Sequence, residues 1–416
     1  MFKKIQSNTV FKKIIKVLIV VFYGLYVFSL PSFSGRTNTH ILPYFCIVVL
    51  LALVFCYTLF YLKFRFQKRL LLLPLFVSFT IIGTIVYSHQ FRTWITMFLL
   101  SATFFIFYYA FICFDDFSIF IKVTVLSLFV FCLYFIFHYR HDIFNSNLNL
   151  LLSLRLGDYF DNVNQIGSYM TIGMIFSLFL IIFLKKKLDL IFIAPTIIFL
   201  IVGFLTGSRT FVVSVFIEAI ALLAIKLRKR KLLLLFIIII LVSAFVLLIN
   251  LPLFSFIKSQ LLSSFYTLLS GDEVSVFTDR STRLRILWQE YGFYLGSKNV
   301  FFGYGCGGFS IYSGVGTYTH GNFAEMICDF GFIGLLLFLV TIIFPVYCSI
   351  FERKNISLIV FPLFILFLLN KIMYTDKTMY LIIAFMYACI PNKCSMTFFK
   401  WHFLPLKPGL YKEITI

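Results

Sequence analysis

The sequence predicts an all-α, polytopic integral membrane protein with about 12 transmembrane helices and one large outward-facing loop. Three observations carry that prediction. Hydrophobic residues make up 61% of the 416-residue chain and charged residues 12%, where a soluble domain carries roughly 25% charged residues. The apolar residues fall in long continuous runs, and a membrane span needs about 20 of them. The Lys and Arg residues concentrate in the short connectors between runs. In lipid the backbone must satisfy its own hydrogen bonds, which leaves helices or a closed barrel. Continuous rather than alternating runs select helices. Length that would otherwise give two or three soluble domains is spent here on spans, so residues 1–416 form a single membrane domain.

Taken in order, the expected spans cover about 14–30, 41–62, 70–87, 94–113 and 117–137. A moderate polar loop follows, and spans resume at about 168–184, 190–205, 211–225 and 232–249. Residues 251–322 then form the large loop between spans 9 and 10. The last three spans are expected at about 323–350, 356–369 and 379–390. Twelve spans put both termini on one side. That side holds 24 of the 36 Lys and Arg residues, in clusters such as KFRFQKR, KKK and KLRKRK. Dense short clusters stay in the cytoplasm, so both termini are expected there. The moderate loop, the Gly207-Ser208-Arg209-Thr210 turn and the large loop then face outward.

The net charge of +20 is read as this topological bias and not as a nucleic-acid surface. Most of the nine cysteines sit inside apolar runs, and no CxxC pair occurs. Neither a disulfide framework nor a zinc site is implied. The basic start is followed by a run long enough to span and without a small-residue cleavage site, so no cleavable signal peptide is expected.

The chemistry-bearing residues gather in the outward loops. Arg209 sits between two apolar runs, where a long side chain can snorkel. Its planar fork also matches phosphate oxygens, and Gly207 and Ser208 allow close backbone approach. Arg280, Arg283 and Arg285 lie within six residues of one another. They are either a solvated helix face or a pyrophosphate clamp. A Gly-rich turn follows at Gly303, Gly305, Gly307 and Gly308. His320 lies beside Asn322 and Glu325 at the start of a span, uncrowded by Gly321. A lone histidine is most often structural, yet this one suits proton acceptance from a hydroxyl. No second histidine or cysteine cluster accompanies it, so a metal site is not expected. Arg155, in RLGDYFDNVNQIG, is a weaker signal among ordinary turn formers.

With these residues in view, the chain resembles the O-antigen polymerase and O-antigen ligase family. The match rests on RLGDYFDNVNQIGSY, on TGSRT, on TRLRILWQEYGFYLGSKNVFFGYGCGGF and on HGNFAEMICDFGFIG, in that order over residues 155–334. The chain departs from the family pattern in two places. Gly321 separates His320 from Asn322, and both Arg283 and Arg285 precede Trp288 at near-family spacing.

The resemblance implies a cofactor-free, metal-independent glycosyltransferase of the bacterial inner membrane. Its donor would be an oligosaccharide on undecaprenyl pyrophosphate, with a chain-length regulator and a flippase as partners. It assigns catalytic roles to His320, Arg209 and Arg283, and substrate contacts to Arg280, Arg285, Arg155, Asn322 and Glu325. A repeat-unit polymerase is the leading expectation. A ligase that moves the finished glycan to lipid A core or another acceptor is the near alternative. A transporter for the same lipid-linked sugar would instead call for ionisable residues inside spans and for internal repeats.

Overall fold

The structure is a computed structural model that describes residues 9–32, 41–61, 68–114, 118–145, 155–157, 159–160, 162–184, 187–227, 230–250, 280–351 and 376–388. Every regular element among them is helical. The first half of the chain contributes α1 (Thr9–Ser32), α2 (Ile41–Tyr61), α3 (Leu72–Gly83), α4 (Phe91–Ile112), α5 (Ser118–His138) and the short α6 (Arg140–Asn145). Beyond residue 162 follow α7 (Val163–Phe179), α8 (Ile193–Leu205), α9 (Arg209–Lys226), α10 (Lys231–Asn250), α11 (Arg280–Lys298), α12 (Gly308–Tyr312), α13 (Asn322–Phe351) and α14 (Lys377–Ala388).

Among the described residues, six helices are long and apolar enough to cross a membrane: Thr9–Pro31, Ile41–Tyr61, Phe91–Ile112, Ser118–His138, Val163–Ile182 and Asn322–Pro345. Four of the expected spans are shorter apolar helices, at Leu72–Ser88, Leu190–Leu205, Thr210–Ile220 and Lys377–Ala388. The expected ninth span is helical over Lys231–Asn250. The expected span at 356–369 lies outside the described residues, as does the first part of the large loop, 251–279.

Apolar side chains gain nothing from leaving water here, since lipid is as apolar as they are. Packing geometry holds the helices together instead. Phenylalanine dominates that packing. Tyr23 of α1 meets Phe120 of α5 edge-on at 5.0 Å, and Phe111 of α4 meets the same ring at 4.9 Å. Phe385 of α14 joins Phe111 of α4 to Phe176 of α7 at 5.9 and 5.3 Å. Buried hydroxyls are satisfied locally or in pairs, such as Tyr23 with Thr124 at 2.7 Å and Ser177 with Thr196 at 2.7 Å.

Two features depart from the sequence reading. The described part of the large loop is ordered structure: α11 is a 19-residue helix packed along α13, and α12 follows it. The helix expected as one continuous span at 323–350 is broken at Gly331, which takes φ 64° and ψ −169°. A break inside a bilayer strands backbone groups unless protein covers them. Residues 300–306 supply that cover. Tyr304 N–H donates to the Cys328 carbonyl at 2.8 Å, and Gly305 N–H donates to the Asp329 carbonyl at 2.6 Å. Phe332 N–H donates to the Val300 carbonyl at 2.6 Å. A Cβ on Gly331 would stand 2.5 Å from the Phe301 carbonyl carbon. The Gly-rich turn is therefore the plug of a broken helix.

Candidate active site

The plug fixes everything around it. Gly305 takes φ +84°, and a Cβ there would meet the Gly83 carbonyl carbon at 2.5 Å. The next amide, Cys306 N–H, donates to Thr84 Oγ1 at 3.0 Å, tying the turn to the end of α3. The Asp329 carboxylate, fully buried, accepts Gly307 N–H on one oxygen and Phe309 N–H on the other, both at 3.0 Å. These amides hold α12 in place. They are committed to protein partners, so the turn is a mount for its neighbours.

On that mount α11 approaches α13 closely. Gly292 leaves room for Thr319 and Ala324, whose nearest atoms would lie 2.7 and 3.3 Å from an added Cβ. Gly296 does the same for Ile327. At about 100° per residue, Arg285, Gln289, Gly292 and Gly296 fall on one face of α11. Arg283 lies about 200° round the axis from Arg285. The helix thus turns Arg285 towards the start of α13, and its charge acts on both Tyr318 and His320. Of the two arginines, Arg285 is the one on the face turned to α13, and Arg283 lies on the far side of the helix. Arg280 opens α11, where the backbone is described.

His320 occupies the centre of this face. Its ring stacks on Trp288 of α11 at 5.3 Å and 19°, and on its other contact meets Tyr318 at 4.0 Å and 40°. Its backbone takes φ +57°, in the left-handed region that few side chains adopt. Such a conformation costs on the order of 1–3 kcal/mol and persists only where the surroundings over-determine it. They do so here. Thr319 Oγ1 donates to the Gly321 carbonyl at 2.8 Å and accepts Gly321 N–H at 3.2 Å. The Glu325 carboxylate accepts Thr319 N–H at 2.7 Å, and Glu325 N–H returns to the Gly321 carbonyl at 3.0 Å. Gln289 Nε2 approaches the His320 carbonyl at 3.5 Å. Glu325 is 1% exposed. One of its carboxylate oxygens braces the His320 turn through the Thr319 amide. Asn322 is also buried, at the first position of α13.

Burial, and then the nearby Arg285 guanidinium, push the His320 pKa down from 6.5 to about 4. The imidazole is neutral at pH 7 and presents an acceptor nitrogen. Burial raises the Tyr318 phenol, with Arg285 opposing it. His320 is thus a weaker base than an ordinary histidine, and its neutral form is the resting one.

Arg155 and Arg209 belong to a second cluster, in which two turns meet. Leu156 N–H donates to the Leu205 carbonyl at 3.0 Å, and Ser208 Oγ donates to Asn164 Oδ1 at 3.1 Å. Gly167 lets the Ser208 side chain in, 2.9 Å from where a Cβ would stand. Asn162 caps α7, and Ser208 caps α9, accepting Phe211 N–H at 3.3 Å. Arg155 takes φ +49°, and Arg209 is the first residue of α9. The residues expected from one site are therefore built on two frames, the α7–α9 turns and the α11–α13 face.

Among the described residues three buried acids lie inside helices: Glu218, Glu325 and Asp329. Glu325 and Asp329 accept backbone amides. Among the described residues no group of three or more His, Cys, Asp or Glu side chains converges on a point. The positioning roles of Asp329, Gln289 and Tyr318 were not anticipated from sequence. Asp329 left a trace there, as an acid inside an otherwise apolar run.

No curated protein matches the chain. Residues 194–339 match the family model described as O-antigen ligase. That segment holds the Ser208-Arg209 turn, all of α11, the plugged break and the His320 turn, while Arg155 precedes it. Over residues 194–339, about a third of its length, the chain is thus similar to the O-antigen ligase family.

Proposed function

We propose that the protein is a glycosyltransferase that polymerises lipid-linked repeat units of a surface polysaccharide. One observation carries the reading: the His320 ring packs against both Trp288 and Tyr318, with the Arg285 charge acting on it. A sugar hydroxyl hydrogen-bonded to the imidazole is oriented for attack on an anomeric carbon. The new bond forms from that oxygen to the carbon, and the bond from the carbon to the pyrophosphate oxygen breaks. The electron pair leaves with the lipid pyrophosphate, and the hydroxyl proton passes to the imidazole. Arg285 meets the negative charge that grows on the leaving group, the type of electrostatic help with the largest effect on rate. Arg209 and Arg155 offer further anion contacts from the second frame, and Arg283 from the far side of α11, with Arg280 a further candidate at that helix's first residue. Guanidinium groups would supply the positive charge that a metal supplies elsewhere.

The donor in this reading is an oligosaccharide on undecaprenyl pyrophosphate. The protein resides in the bacterial inner membrane with both termini cytoplasmic, working with a flippase and a chain-length regulator. A second reading, transfer of the finished glycan to lipid A core or another acceptor, is favoured by the family description itself, O-antigen ligase. Cells lacking the protein distinguish the two. Accumulation of single lipid-linked repeats supports the polymerase. Accumulation of unattached polymer supports the ligase and refutes the polymerase.

A further inference from the structure

Five tyrosines that the proposed chemistry does not use converge beside the His320 face. Tyr291 and Tyr294 of α11 stack on each other at 5.9 Å and 12°. Tyr304 of the plug meets Tyr312 of α12 at 4.3 Å and Tyr87 at 5.7 Å. Tyr291 rests edge-on against the buried Phe309 at 6.2 Å, which ties the two groups together. Tyr294 is close enough to Tyr304 for their phenols to interact. The rings are accessible: Tyr294 is 54% exposed, Tyr312 40%, and Tyr87 and Tyr291 38% each.

We infer that this array is a carbohydrate-binding platform that holds the glycan chain next to the site of transfer. The inference rests on the proposed glycosyl transfer and names the part of the substrate those rings take. Tyrosine presents a flat apolar face to the C–H face of a sugar ring and a hydroxyl to its polar edge, and it has only two side-chain torsions to freeze. Exposed positions along α2 and α8 include instead Val48, Leu51, Phe55 and Ile197. Interfacial tyrosines that anchor a protein form belts around its circumference. These five are drawn into one patch and mounted rigidly. Asp329 fixes α12, and Tyr312 Oη donates to the Tyr87 carbonyl at 3.2 Å. The patch is also continuous with the candidate site. Tyr291 follows Trp288 by one turn of α11, about 4.5 Å along the axis. A glycan whose terminal sugar reaches His320 would run over Tyr291 towards Tyr304 and Tyr312.

The test uses full-length protein in nanodiscs. The probe is the repeat-unit oligosaccharide freed from the host cell's polyprenyl carrier by mild acid, so that it carries no pyrophosphate. Saturation-transfer NMR reads which sugar protons touch the protein. The inference expects transfer to ring C–H protons and roughly tenfold weaker binding in Tyr294→Ala/Tyr312→Ala. Tyr294→Phe/Tyr312→Phe should retain most of the affinity. Both positions are largely exposed, and the single Ala variants, each with a smaller loss, serve if the pair proves unstable. In cells the Ala pair should shorten the polymer without abolishing it. Parental binding by the Ala pair overturns the inference, as does an Ala pair that merely inserts poorly while the inserted fraction binds as the parent does, the outcome of a membrane anchor. Parent protein that makes no polymer at all would fail the proposed function instead, whatever the tyrosine variants bind.

Discussion

Replacing Gly305 by Ala tests whether the Gly-rich turn is a plug. An alanine there meets two separate costs. Holding an L-residue in the left-handed region costs about 1–2 kcal/mol. Its Cβ would also press on main chain, 2.5 Å from the Gly83 carbonyl carbon. Backbone cannot rotate away as a side-chain tip can, so overpacking adds about 1–3 kcal/mol. Any shift that relieves it stretches the Gly305-to-Asp329 or Cys306-to-Thr84 hydrogen bond, each worth about 1 kcal/mol. The expected loss is roughly 3–5 kcal/mol. Gly314→Ala is the matched control: its φ of +68° carries the same backbone cost, and nothing lies within 4 Å of its Cβ. It should lose only about 1–2 kcal/mol. Reversible SDS unfolding in detergent micelles, followed by tryptophan fluorescence, compares the two. Equal losses would mean that the turn is not seated against α3, and the plug would be refuted.

Other expectations concern charge, protonation and sidedness. The folded pKa of His320, about 4, lies below its ordinary 6.5, so the fold favours the neutral ring. Its contribution to stability is complete above pH 6.5 and is lost as pH falls towards 4, and the transfer rate should fall over the same acid range with its inflection well below 6.5. An inflection at 6.5 would contradict the buried setting, while Arg285→Gln should move the inflection upward by removing the second cause of the depression. Arg209→Lys keeps the charge and loses the fork, so polymer should drop sharply at normal protein abundance; full activity would remove a bidentate phosphate role. A cysteine at Ser313 should react with an impermeant thiol reagent outside spheroplasts, and one at Lys187 should not; the reverse pattern would invert the topology.

Much of this architecture was legible in the chain, and the reasons differ by element. Apolar runs announce helices because lipid allows little else, and α1, α2, α4 and α5 follow them closely. The His320 turn stood out because a histidine, an amide and an acid open a span together. The break in α13 did not stand out. Gly331 sits in a run that reads as one helix, and the groups that make a break tolerable lie 26 to 31 residues earlier, at Val300, Tyr304 and Gly305. Long-range backbone pairing leaves no periodic trace. The phase of α11 was within reach, since Gly292 and Gly296 mark the side that meets α13, and Arg285 shares it. Nothing in the sequence showed that Tyr87 would meet Tyr304 and Tyr312 across more than two hundred positions.

The central claim is that His320 serves transfer itself and is not merely packed between two rings. Purified protein, a defined lipid-linked repeat and a gel readout of chain length test it directly. His320→Gln keeps a polar group between Trp288 and Tyr318 but cannot take a proton near neutral pH. The account predicts that elongation falls by about 10²–10⁴ while the variant folds and binds lipid pyrophosphate as the parent does. Near-parental elongation by His320→Gln would contradict it and leave His320 a structural residue.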